Sequence, residues 1–183
     1  MKNVLGTNLT LTLYGESHGA AVGAVLDGLA PGLPVEEDYI RAQLSLRRPV
    51  GDISTPRQEP DRFVIDSGVY RGKTTGTPLS IRIPNENVRS GDYSAMEHIA
   101  RPGHADYTGY VKYRGCSDPR GGGHFSGRVT AALVAAGAIV RYALEQKGIV
   151  IASHIARLGG IDDRAFADWS ADAEVLNGRP FAV

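Results

Sequence analysis

A chain of 183 residues with 42% hydrophobic and 22% charged content has the make-up of an ordinary globular protein and enough length for one domain with a packed core. Lysine plus arginine balances aspartate plus glutamate at 20 each, so no global field recruits nucleic acid, and any anion site must be built locally from a few arginines and backbone amides. The single cysteine, Cys116, excludes an internal disulfide framework and a cysteine-based metal cluster, and it suits a reducing, cytoplasmic compartment.

The first residues lack the charged n-region and long apolar core of a targeting segment, and no apolar run approaches the roughly 20 residues of a membrane span, so no membrane partner is expected. Asn8 to Tyr14 alternates polar and apolar β-favouring residues, and Ala20 to Leu26 follows as a second short apolar run. Gly15-Glu16-Ser17-His18-Gly19 is the turn between them. After the Pro31-Gly32-Leu33-Pro34 break, Val35 to Leu46 predicts a helix ending near Pro49. Its acids, Glu36, Glu37 and Asp38, come early and its bases, Arg41, Arg47 and Arg48, late, the order a helix dipole favours.

Arg62 to Val69 and Pro78 to Ile83 predict strands, returned through the turn residues of Gly72 to Gly76. Pro84 to Gly123 shows no period, only polar residues, aromatics and glycines, and so long an irregular stretch is the first place to look for a site. Gly127 to Gln146 is the clearest helix; its nearly all-apolar surface predicts deep burial, with Gly148 at the C-terminal cap. Ile149 to Ile155 predicts a strand, Asp162 to Asp172 an acidic surface helix or loop, and Asn177 to Val183 no closing element.

Several short motifs invite a functional reading and fail on spacing or position. Gly15-Glu16-Ser17-His18-Gly19 matches the nucleophile elbow of serine hydrolases, but an elbow follows several strands and opens a helix, whereas this turn comes early and leads into a second strand. Gly68 to Thr74 resembles a phosphate-binding P-loop with one residue too few between its glycines, which favours a hairpin turn. Gly121 to Gly127 lacks the dinucleotide-binding spacing, yet a glycine-rich loop entering a long helix suits a phosphate.

The five histidines show no zinc-site spacing, and no metal is expected. His18 and His104 stand out because each lies in a glycine-bearing segment open to close approach of a ligand; His98 and His154 read as ordinary surface or hydrogen-bonded residues. Arg47, Arg48, Arg57, Arg89, Arg101, Arg120 and Arg128 fall in loops or at element ends. Guanidinium forks there suit phosphate and carboxylate, or are solvated surface charge.

Taken in order, Gly15-Glu16-Ser17-His18-Gly19, Asp27-Gly28, Arg47-Arg48-Pro49, Glu59-Pro60-Asp61, Thr74-Thr75-Gly76-Thr77-Pro78, Arg89-Ser90-Gly91-Asp92-Tyr93 and Arg101-Pro102-Gly103-His104-Ala105-Asp106-Tyr107 resemble the motif series of the chorismate synthases. The resemblance continues through Asp118-Pro119-Arg120-Gly121-Gly122-Gly123-His124-Phe125-Ser126-Gly127-Arg128 and the following alanine-rich helix, so it covers nearly the whole chain. Two departures stand out. Asp52 and Ile53 occupy a place where many members carry an arginine, and the Tyr113 to Asp118 stretch is one residue longer than the commoner form.

The resemblance implies an α/β fold, the β-α-β sandwich of the chorismate synthase type, incomplete in this chain. Residues 1–183 would be the N-terminal portion of a single domain, with the C-terminal portion absent and this fragment alone inactive. The implied activity is a carbon–oxygen lyase of the shikimate pathway of aromatic amino-acid biosynthesis. It carries out a 1,4-anti elimination of phosphate from 5-enolpyruvylshikimate-3-phosphate that depends on reduced FMN, with NADPH as a reductant. By carry-over, His18 protonates the leaving phosphate and His104 protonates the flavin. Ser17, Arg47, Arg48 and Arg101 hold substrate, while His124, Phe125 and Ser126 contact the cofactor. The full-length partner state would be a homotetramer. From a different class, a truncated, non-catalytic phosphate-binding or assembly module is the alternative.

Overall fold

The alternating runs near the N-terminus become an antiparallel sheet in a computed structural model that describes residues 3–48, 59–86 and 99–177. Pro49, Asp52, Ile53, Arg57, Arg89 and His98, with the Arg89-Ser90-Gly91-Asp92-Tyr93 motif, lie outside the described residues. The chain divides into two units, Met1–Ala143 and Leu144–Val183.

In the first unit the elements run β1 (Val4–Leu5), β2 (Thr10–Gly15), β3 (Ala21–Asp27), α1 (Glu37–Leu46), β4 (Val64–Ser67), β5 (Val69–Tyr70), β6 (Lys73–Thr74), β7 (Leu79–Pro84), α2 (Asp106–Tyr113) and α3 (Thr130–Glu145). Five strands pair in the order β1-β2-β3-β7-β4, every neighbour antiparallel. The register sets Leu11 opposite Leu26, Leu13 opposite Ala24, Ala24 opposite Ile81, and Val22 opposite Ile83. Because strand side chains alternate between faces, this places one apolar set on one side of the sheet. Val22, Ala24, Leu79, Ile81 and Ile83 are fully buried there, under Ile40 and Leu44 of α1 and the alanine face of α3. Tyr39 and Tyr142 meet at 5.0 Å between ring centroids and Arg141 donates to Gln43, so α1 and α3 are neighbours in one helical layer. A sheet carrying a helical layer is the α/β class expected and two layers of the β-α-β sandwich.

The boundaries differ from expectation where backbone contacts intervene. The strand expected over Arg62 to Val69 breaks at Gly68, whose φ is +83° and whose missing Cβ would stand 2.4 Å from Leu79 Cα at the start of the paired strand β7, just after the register shift between Ile65 and Ser67, so β4 and β5 separate. Between β5 and β6, Arg71 and Gly72 both have positive φ, 50° and 71°, a two-residue hairpin turn of type I′. The P-loop lookalike is therefore a hairpin.

The stretch from Pro84 to Gly123, read as irregular, contains α2. Its sequence shows no apolar stripe because its buried residue is a glycine, Gly109, against which the Phe125 ring packs. The helix stops at Arg114 in the left-handed region, followed by Gly115. Deep burial of α3 was expected all round and holds for one face: Ala131, Ala132, Ala135, Ala136, Ala138 and Ile139 are buried while Leu133 is exposed. An all-apolar surface does not reveal which side finds a partner. The 19-residue stretch Gly127–Glu145 also matches a membrane span by length and composition, unlike the expectation, and its alanine face in the core of the sheet explains that composition.

In the second unit, Gly148 is left-handed at φ 73° and Ile149 N donates to Leu144 O, ending α3 as predicted. Ile149 to Ile155 is not a strand; it has no ladder partner among the described residues, and a lone extended run leaves its backbone groups unpaired. The pairing that forms instead is a short hairpin of β8 (Arg157–Leu158) and β9 (Ile161–Asp162) around Gly159 and Gly160. Helix α4 (Trp169–Asn177) begins after Asp168, whose carboxylate accepts from Ala171 N, while Asp172 reaches back to Ala167 N and Asp168 N. The amide of Ala167, then that of Asp168 and the nearby Arg164, hold the Asp172 carboxyl below its ordinary 3.8. A depressed carboxyl stabilises the fold above its ordinary pKa and stops doing so as pH falls through the lowered value. Far-UV circular dichroism of Asp172→Asn is thus expected to show α4 frayed at neutral pH, and the acid-induced loss seen in the parent below about pH 3.8 to be reduced.

Candidate active site

Strand β2 ends at Gly15, where φ is 94° and a Cβ would fall 2.3 Å from Ala21 O, so the chain turns sharply through Glu16 to Gly19 into β3. This turn carries Ser17 and His18, both buried. Its ends are tied from across the sheet: Asn85, just past β7, donates its one amide nitrogen to Glu16 O at 2.9 Å and to Gly19 O at 2.8 Å. Ser17 N donates to Gly123 O.

Asn85 is itself held. Arg128 donates from Nε to Asn85 Oδ1 at 2.9 Å, from Nη2 to Pro84 O, and from Nη1 to Asp61. Asp61 also takes Arg47 Nη1 at 2.8 Å, and its side chain is 1% exposed with φ at 50°. A buried carboxylate between two guanidiniums leaves net positive charge, and the line Arg47–Asp61–Arg128–Asn85 runs from α1's end to the Ser17–His18 turn. Arg48 lies apart from that line, exposed and donating to Pro60 O.

The glycine loop closes the site from the other side. Gly121, Gly122 and Gly123 have φ of 59°, 99° and 54°. A Cβ on Gly121 would sit 2.1 Å from His18 Cε1, and one on Gly122 would sit 2.8 Å from His104 Cε1. Two imidazoles far apart in sequence thus rest on adjacent residues of one loop, each where a side chain would otherwise be. A third glycine is needed because a Cβ on Gly123 would meet Asp118 O at 2.2 Å. The helix entry behind the loop is capped, with Ser126 Oγ accepting Arg128 N.

Ser17 Oγ is 3.1 Å from His18 Nδ1 and donates to Arg120 O at 3.3 Å. The Ser17 hydroxyl thus stands between the His18 ring and the Arg120 carbonyl, and it holds the Nδ1 edge of the imidazole in place. Asp118 takes the Arg120 fork at 2.9 and 2.7 Å; this guanidinium holds its carboxyl below the ordinary range, with the nearby His18 adding to the effect. His104 Nδ1 lies 2.8 Å from Asp106 Oδ1, and Arg101 grips the same carboxylate through Nε at 2.7 Å, Nη2 at 2.9 Å and its backbone N–H at 2.9 Å. That grip drives the Asp106 carboxyl far below the usual carboxylate range. Of the remaining candidates, His124 donates from Nδ1 to Gly15 O at 3.0 Å and Phe125 packs on Gly109 and Tyr113.

The structure therefore gathers Ser17, His18, His104 and the glycine loop, and ties Arg47 to them through other residues. Sequence reading did not single out Asp61, Asn85, Asp106 or Asp118. Asp106 carried a signal, two positions after His104 in a Pro-Gly turn; Asn85 carried none, since one asparagine after a strand is ordinary loop chemistry. Beside His104 a cavity of about 620 Å³ is lined by Arg101, Asp106, Tyr107, Tyr110, Gly122 and Phe125, among others. Arg101 and Arg114 are balanced there by Asp106 and Asp118, and the aromatic walls of Tyr107, Tyr110 and Phe125 together with the volume suit a planar ring compound.

The family model described as chorismate synthase matches residues 9–178. The chain is 47% identical over 163 residues to the chorismate synthase of Aeropyrum pernix, covering 89% of this chain and 43% of that protein. It is 52% identical over 158 residues to that of Wolinella succinogenes, covering 86% and 44%, and 48% identical over 185 residues to that of Ignicoccus hospitalis, covering 99% and 48%. A solved structure described as a crystal structure of chorismate synthase superposes with a TM-score of 0.61 at 32% identity, over 86% of this chain and 40% of that one. The chain spans less than half the length of these relatives.

Proposed function

The chain belongs to the chorismate synthase family, and from that premise we propose that it serves a lyase reaction of aromatic biosynthesis, the elimination of phosphate from 5-enolpyruvylshikimate-3-phosphate to give chorismate with reduced FMN as cofactor. In the 1,4-anti elimination the ring carbon–oxygen bond to phosphate breaks and a ring proton leaves, with no net oxidation. The observation that carries the reading is the seating of His18 and His104 on Gly121 and Gly122. A departing phosphate needs a proton and positive charge at its leaving oxygen. His18, in its protonated form, gives that proton and becomes the neutral imidazole, with its Nδ1 edge held at Ser17. Ser17, Arg47, Arg48 and Arg101 serve the substrate's anionic groups.

The cavity beside His104 fits a flavin in volume and aromatic lining, with Phe125 in its wall and His124 and Ser126 flanking it in the chain. Reduced flavin, when bound, supplies electron density to the allylic centre and takes it back. His104 holds the proton exchanged with that cofactor. NADPH as reductant, a homotetrameric assembly and residues 1–183 as the N-terminal portion of one domain belong to the same proposal. So does a cytoplasmic home, in keeping with the single cysteine.

Anaerobic phosphate release by a version extended to the length of the relatives, with photoreduced FMN and 5-enolpyruvylshikimate-3-phosphate, tests the assignment. His18→Ala and His104→Ala are each expected to lower the rate by about 10²–10⁴-fold, the range for loss of a positioned acid or base. Unchanged turnover in either variant removes that histidine from the mechanism.

A further inference from the structure

We infer that Asp106 is a positioning residue that fixes the tautomer of His104, presenting Nε2 as the nitrogen that exchanges the proton, and that Arg101 acts on His104 through Asp106. The inference rests on the reading of His104 as a proton-transfer residue. Nδ1 lies 2.8 Å from Asp106 Oδ1, an ion-pair distance, and a nitrogen lone pair held that close to an ionised carboxylate would repel it, so the contact favours the form with the proton on Nδ1. Nε2 is then the nitrogen with the lone pair, on the side of the ring that faces Gly122: a Cβ there would lie 3.1 Å from it.

The same carboxylate is held by three donors of one residue. Oδ2 accepts the Arg101 backbone N–H and Nε, and Oδ1 accepts Nη2. This fork fixes the carboxylate plane before the imidazole is considered, and a guanidinium matches that geometry as a lysine would not. The Pro102-Gly103 turn brings both ends to one place: His104 N donates to Arg101 O, and Gly103 at φ 73° lets the chain reverse. Asp106 stands in the first turn of α2, where a negative charge also meets the positive end of the helix dipole.

The arrangement makes a specific demand of Asp106→Asn. The amide oxygen is best placed at the Oδ2 position, where two donors of Arg101 converge, which turns the NH₂ group toward His104 Nδ1 and gives up the single Arg101 Nη2 bond at the Oδ1 position. The neutral imidazole must then accept at Nδ1 and carry its proton on Nε2, the reverse of the parent. Long-range ¹H–¹⁵N spectra of the histidine rings, recorded near pH 9 where an ordinary imidazole is neutral and assigned with His104→Gln, read this directly.

The parent is expected to show Nδ1–H and Asp106→Asn to show Nε2–H. In a version extended to the length of the relatives, kcat of Asp106→Asn is expected to fall by about 10²–10⁴-fold with KM within about threefold, as when a triad's orienting carboxylate is made neutral. An Nε2–H tautomer in the parent overturns the inference even if the variant does not fold. So does Nδ1–H retained in Asp106→Asn, or unchanged kcat in a variant whose tautomer has flipped. The two claims fail separately: full turnover in His104→Ala would strike the catalytic reading and leave the tautomer result standing.

Discussion

In a version extended to the length of the relatives, and on the proposed reading, Gly121→Ala is expected to lower phosphate release by about 10²-fold or more, because a displacement of about 1 Å at a reacting group is enough for a loss of that size. The added methyl would lie 2.1 Å from His18 Cε1, 2.3 Å from Nδ1 and 3.0 Å from Ser17 Oγ. His18 is 8% exposed and Ser17 is fully buried, so neither can swing into solvent, and the ring must leave its place or the loop must move. Backbone strain alone does not produce this result. Gly72 has a similar φ, 71°, with open space where its Cβ would be, and Gly72→Ala carries only the left-handed penalty of about 1–2 kcal/mol. Comparison of the two variants by anaerobic assay and thermal melt separates the effects. Turnover of Gly121→Ala within threefold of the parent would show that the imidazole does not work from its seat on the loop.

Asp61→Asn is expected to destabilise the first unit by about 3–5 kcal/mol, the range for breaking a buried ion pair and leaving a charge without its partner. For a chain of this size that is a fall in Tm on the order of 10 °C. Asparagine keeps the volume and tolerates the left-handed backbone that Asp61 adopts at φ 50°, so the substitution isolates the charge. Arg128, 4% exposed in its side chain, loses its counter-ion, and Arg47 then faces either an amide oxygen or an NH₂ that repels it. The matching control is Asp66→Asn, whose partner Arg82 is 42% exposed; pairs of this kind contribute about 0–1 kcal/mol. Calorimetry that gave equal Tm values for the two variants would show that the Arg47–Asp61–Arg128 line is not a structural tie.

Both effects meet at one turn. Arg128 steadies Asn85, Asn85 holds Glu16 O and Gly19 O, and Ser17 N reaches Gly123 O. The glycine loop thus contacts the turn that bears His18 and, one residue on, the ring of His104. The family's motif order carries far more information than any single motif in it. Gly15 to Gly19 in isolation reads as a hydrolase elbow, and Gly68 to Thr74 as a damaged P-loop. Packing gives them their meaning: Ser17 is fully buried and donates to a backbone carbonyl, and Arg71-Gly72 is a tight hairpin.

By itself the sequence determined what short-range physics can encode: the alternation that makes β2 and β3, the apolar stretch that makes α3 and its glycine stop, and the ordered motifs that name the family. It did not show α2, whose contact with the rest of the unit is a glycine notch rather than an apolar stripe, nor the break at Gly68, where the backbone of the paired strand β7 comes too close for a side chain. Only the tertiary structure decided that Gly121 and Gly122 seat two imidazoles, and that Asp61, Asn85 and Asp106 are the polar ties of the site. A hydrogen bond such as Arg128 to Asp61, 67 positions apart, leaves no period and no local composition in the chain. Its geometry exists only once the sheet has set both ends in place.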